Sequence, residues 1–118
     1  MQVLIVESNA ALARLWQRPL LAWGHGVTIA TGQLDAVRHL STHDFEAIIL
    51  DLKLTEGSAM AVADFANYRQ PQAHIIAVTS DRCFSDGSIF AHLGNARVLL
   101  PRATSPDDLG KMVEYYAA

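Results

Sequence analysis

Carboxylates, hydroxyls and a guanidinium stand directly after short apolar runs in this chain, and together they outline a chemistry. Glu7, Ser8 and Asn9 follow "VLIV"; Asp51 follows "AIIL"; Thr79, Ser80 and Asp81 follow "IIAV"; Pro101 and Arg102 follow "RVLL". An acid that ends an apolar run is a candidate nucleophile. A second acid nearby can hold a divalent metal that offsets charge gathering on a phosphoryl group. A hydroxyl and a cation can then bind the phosphoryl oxygens. The set suits an acyl phosphate formed on Asp51, with Glu7 on the metal side and Thr79, Ser80 and Arg102 as oxygen-binding candidates. The bland readings are a turn or capping role for Asp51, a solvent-facing acid for Glu7, and turn hydroxyls for Thr79 and Ser80.

Such residues meet only if the fold gathers the run ends. Apolar runs at 3–6, 27–30, 47–50, 75–78 and 98–100 are continuous, which suits strands buried on both faces of a parallel sheet. Helical spacing lies between them. Leu12, Leu15, Trp16, Leu20 and Trp23 form a first stripe closed by Gly24 and Gly26, with Pro19 expected to kink that helix or end its first part. Leu34, Val37 and Leu40 mark a second helix. Met60, Ala63 and Tyr68, with Phe65 nearby, mark a third, ended before Pro71. The stretch 84–93 is the least regular, with Gly87 inside it and Gly94 after it. Ser105 as N-cap, Pro106 at N1 and Asp108 at N3 precede Leu109, Met112, Val113 and Tyr116 in the last helix. A βα unit repeated five times, with right-handed crossovers, predicts a doubly wound, five-stranded parallel α/β sheet of the flavodoxin-like class, as one domain over 1–118. In such sheets, sites form outside the carboxyl ends of the strands, where these polar residues would gather.

In that order, the motifs resemble one family over essentially the whole chain: the receiver domain of bacterial two-component response regulators. "VLIVESN" looks like its first strand and acid-pair turn, and "ATGQLDAV" like the entry to its second helix. "HDFEAIILDLKLTEGSAM" is similar to its phosphoacceptor strand and loop, with Asp51 in the acceptor position. "HIIAVTSD" resembles the strand with its switch hydroxyl, at Thr79, and "HLGNARVLLPRATSPDDL" the final strand and last helix entry. The resemblance implies phosphoryl transfer to Asp51 from a histidine kinase or histidine phosphotransfer protein. It implies Mg2+ held by Glu7, Asp51, the Lys53 backbone carbonyl and, weakly, Ser8. With no effector domain after Ala118, output would pass to a downstream effector protein by binding, and homodimerisation is common in the family. The activity implied is a switch that catalyses its own phosphorylation and dephosphorylation, not an enzyme acting on other substrates.

Departures from the family pattern concentrate at the site. The second acid of the pair is Ser8, neutral and a weak ligand for a hard cation, so magnesium should bind less tightly. The Lys-Pro step after the last strand falls on Pro101-Arg102. Without a gap the lysine position is Pro101; with one residue inserted it is Arg102, which keeps the charge in a planar fork. The aromatic switch position falls on Val98 or Leu99, neither aromatic, and Thr55 and Ala59 replace the usual proline and glycine of the acceptor loop. The alternative reading is a pseudo-receiver, a constitutive protein-binding module that works without phosphorylation.

Composition narrows the remaining classes. Hydrophobic residues make up 51% of the 118 and charged residues 18%, enough apolar material for one core. Net charge is −3 with scattered basic residues, so nucleic-acid binding gains no support. A single cysteine, Cys83, excludes an internal disulfide framework and fits a reducing compartment. No run approaches a membrane span, and a cytoplasmic domain is expected. Dinucleotide binding fails because "ESNAAL" lacks glycines and Glu7 would repel a pyrophosphate. Ser58 after Gly57 lacks the G-x-S-x-G pattern of a hydrolase. His39 and His43, spaced i, i+4, have no third ligand and read as a surface pair. Trp16 and Trp23 fit the core stripe, although either could anchor a partner.

Overall fold

The apolar runs form strands at the expected places in the computed structural model, which describes residues 1–80 and 96–117. They are β1 (Gln2–Val6), β2 (Gly26–Ala30), β3 (Ala47–Asp51), β4 (His74–Thr79) and β5 (Ala96–Pro101). All pair in parallel in the order β2-β1-β3-β4-β5. The helices are α1 (Ala10–Ala22), α2 (Gln33–Thr42), α3 (Ala59–Arg69) and α4 (Pro106–Ala117). The helical stretch expected at 84–93, with Asp81 and Cys83, lies outside the described residues. Among the described residues no helix is long and apolar enough to cross a membrane.

Alternation along each strand divides the core into two layers. Leu4, Val6, Ile48, Leu50, Ile75 and Ala77 pack with Ala36, Leu40, Val62, Ala63 and Ala66 of α2 and α3. Val3, Ile5, Ala47, Ile49, Ile76 and Val78 pack with Ala13, Trp16, Leu20, Leu109 and Val113 of α1 and α4. Both faces of the sheet are therefore covered, which is why its strands read as unbroken apolar runs.

Helix boundaries follow local chemistry. Asn9 caps α1, its Oδ1 accepting from Leu12 N–H at 3.1 Å. Ser58 caps α3 by accepting from Ala61 N–H at 3.2 Å, and Ser105 caps α4 by accepting from Asp108 N–H at 3.2 Å. Gly24 follows α1 with φ of 91°, a left-handed conformation that glycine adopts without Cβ strain.

Several core assignments differ from the sequence reading. Leu15 and Trp23 are exposed on α1, where Ala13, Pro19 and Leu20 are buried with Trp16. Leu34 on α2 and Tyr68 on α3 are also exposed, and Ala36 and Ala66 face the sheet instead. Nor does Pro19 end α1, which continues to Ala22. Proline removes one backbone donor, but the ring is buried in this helix and packing retains the turn.

Candidate functional site

Strand register decides which side chains meet. Val6 pairs with Leu50, Asp51 with Val78, and Thr79 with Pro101. The ladder continues past the strand ends: Glu7 N–H donates to Ala30 O at 3.0 Å, Leu52 N–H to Val78 O at 2.9 Å, and Arg102 N–H to Thr79 O at 2.9 Å. Glu7 and Asp51 thus leave neighbouring strands where the strand order reverses, the position at which doubly wound sheets form clefts.

Arg102 reaches this position because β5 carries an extra residue. Ile75 pairs with Ala96 and Ile76 with Val98, so Arg97 bulges between them. Ala96 and Leu99, an odd number of residues apart, consequently share one core layer. Pro101 ends the strand, and Arg102 brings the cation: its Nε stands 3.1 Å from Glu7 Oε1 and 3.1 Å from Asp51 Oδ2.

The acids themselves are buried, Glu7 at 0% and Asp51 at 1% exposure. Glu7 Oε2 accepts from Asn9 N–H at 2.9 Å, and Asp51 Oδ1 from Lys53 N–H at 2.9 Å. Burial is the largest influence on both carboxyls and raises them. For Glu7, hydrogen bonds with Asp51, Arg102 and the Asn9 backbone outweigh burial and hold its carboxyl below the ordinary value. For Asp51, burial and the hydrogen bond with Glu7 prevail over Lys53 N–H and Arg102, pushing it up to about 7. The two adjacent carboxyls are thus pushed apart: Asp51 is the one that keeps a proton toward neutral pH, and Glu7 the one that is ionised. The bond to Glu7, with the charges of both acids, raises Arg102 further above the range where it could lose its proton.

Around the pair is an open cleft of about 470 Å3, whose lining includes Glu7, Ser8, Asp51, Lys53, Ser80 and Arg102. Thr79 is buried at the end of β4; among the described residues it is Ser80 that lines the cleft. Ser8 Oγ accepts from Thr55 N–H at 2.9 Å, which ties the loop after β1 to the loop after β3. That link and the Asn9 backbone bond to Glu7 were not anticipated. Asn9 was legible only as one of the polar residues that follow the first apolar run, and a side-chain bond spanning 47 positions leaves no trace in sequence spacing.

The oxygen donors suit a hard divalent cation. Glu7, Asp51 and Ser8 bring side-chain oxygens to the cleft, two of them carboxylates, and Lys53 lines it as well. No cluster of three or more His, Cys, Asp or Glu side chains suited to a metal occurs among the described residues, His39 and His43 included.

No protein-family model and no curated protein matches the chain. Solved structures do. A CheY-like response-regulator receiver domain from Methanospirillum hungatei superposes with a TM-score of 0.88 at 21% identity, covering 98% of this chain and 92% of that one. A response regulator from Thermotoga maritima, solved in complex with Mg2+ and beryllofluoride, gives 0.83 at 18% identity, covering 98% and 97%. The receiver domain of a sensor histidine kinase from Pseudomonas aeruginosa, with a magnesium ion coordinated in its active-site cleft, gives 0.83 at 18%, covering 98% and 96%. The chain has the flavodoxin-like fold of response-regulator receiver domains.

Proposed function

We propose that the chain is a receiver domain of a two-component or phosphorelay system and that Asp51 accepts a phosphoryl group from a histidine kinase or histidine phosphotransfer protein. The observation that carries this reading is Asp51 itself, a buried acid at the end of β3 with Glu7 and Arg102 against its carboxyl. In its ionised form an Asp51 oxygen attacks phosphorus. The bond from phosphorus to the donor imidazole nitrogen breaks, and the electron pair leaves with that nitrogen. Arg102 binds the incoming oxygens, with the Thr79 hydroxyl as the switch group at the next strand end and Ser80 beside it in the cleft. Mg2+ is the cofactor of this reading. Glu7, Asp51, Ser8 and the Lys53 carbonyl would hold it, it would supply positive charge against the phosphoryl oxygens, and the neutral Ser8 would make its site weak. The module catalyses its own phosphorylation and dephosphorylation, works in the cytoplasm as one unit, and signals by binding an effector protein or a second copy of itself.

The test is incubation with Mg2+ and acetyl phosphate followed by intact-mass measurement. The unmodified chain gains one phosphoryl group and Asp51→Asn gains none. If the chain gains nothing while a reactive receiver does under the same conditions, the reading fails, leaving a binding module that works without phosphorylation.

A further inference from the structure

The position of Arg102 has a consequence for metal binding. Its Nε–H donates to Glu7 Oε1 at 3.1 Å while the same nitrogen stands 3.1 Å from Asp51 Oδ2, so one cation bridges both acids. The remaining oxygens are also occupied, Glu7 Oε2 by Asn9 N–H and Asp51 Oδ1 by Lys53 N–H, each at 2.9 Å. Every carboxylate oxygen of the pair therefore faces an internal donor. Ser8 adds no charge, and its Oγ already accepts from Thr55 N–H. A dication arriving at these acids meets a like charge in contact with both of them, an arrangement disfavoured even at the moderate effective dielectric of a protein surface.

We propose that Arg102 is the resident counter-cation of the pocket, and that a divalent metal binds Glu7 and Asp51 only by displacing its guanidinium. The side chain is free to move without loss of the sheet. It is 33% exposed, and its backbone is held separately by the N–H bond to Thr79 O. The inference rests on reading the Glu7–Asp51 pair as the cation pocket of the proposed function. It adds that metal loading and the position of Arg102 are a single equilibrium, located at the junction of β5 and α4.

Calorimetric titration of the full chain and of Arg102→Gln with MgCl2 tests this. The substitution removes the competing charge, so its affinity for Mg2+ should rise about tenfold or more. Equal or weaker binding by folded Arg102→Gln, including no binding by either chain, overturns the proposal. Should the variant not fold, the unmodified chain supplies the answer through the 15N–1H signal of Arg102 Nε. That signal should shift in step with Mg2+ saturation, and a signal unchanged at saturation overturns the proposal. Neither readout involves phosphorylation. Failure of Asp51 to react with acetyl phosphate would count against the proposed function and leave the competition between metal and guanidinium standing.

Discussion

Glu7 and Asp51 are acids that folding takes out of water, and the cluster tolerates them because each has hydrogen-bond donors and one guanidinium serves both. The acids were legible in the sequence as polar residues ending apolar runs. Arg102 was legible as the candidate cation, but its reach to both acids was not, because the bulge at Arg97 that sets its register leaves no mark in the sequence. Ser8 is the neutral member of the candidate donor set. Ser8→Asp adds a carboxylate to the turn after β1 and should raise Mg2+ affinity by about tenfold, since ligand charge count sets the affinity of hard-cation sites. Calorimetry measures it. An unchanged affinity would mean that residue 8 braces the Thr55 loop and lies beyond the reach of the metal.

At the scale of elements, strands were easier to read than helix faces. A strand covered on both sides is apolar at every position, so its limits stand out against the polar turns. On a helix, neighbouring large apolar residues compete for the inward direction, and the spacing alone does not rank them. Here small residues won the positions against the sheet: Ala36 and Ala66 are buried, while Leu34 and Tyr68 point outward. The last helix was legible to the residue because Ser105, Pro106 and Asp108 carry its start signal in side-chain type. The burial pattern makes a paired prediction. Trp16→Ala, which empties a fully packed position between α1 and the sheet, should lower unfolding free energy by about 3–5 kcal/mol. Tyr68→Ala should change it by less than about 0.5 kcal/mol. Urea denaturation of both variants checks the contrast, and equal losses would mean that the assignment of inner and outer faces is wrong.

Across the whole molecule, the buried pair links stability to pH. Asp51 rises from 3.8 to about 7 on folding, so the folded chain keeps a proton that the unfolded chain has released. Its contribution to stability is full below 3.8 and is lost as pH climbs to about 7. Glu7 acts in the opposite sense: its depressed carboxyl contributes above 4.5 and loses that contribution as pH falls through its folded value. Without metal, the melting temperature of Asp51→Asn should therefore gain on that of the unmodified chain from about pH 5 to about pH 8. Parallel melting curves across that range would remove Asp51 as a buried proton holder. The more direct test of the account follows the phosphoryl group to its residue. After reaction with acetyl phosphate and Mg2+, borohydride reduces an aspartyl phosphate to homoserine, which peptide mass analysis locates. The account predicts homoserine at position 51 and at no other acid. Homoserine elsewhere, or none while a reactive receiver treated alongside is trapped, would contradict it.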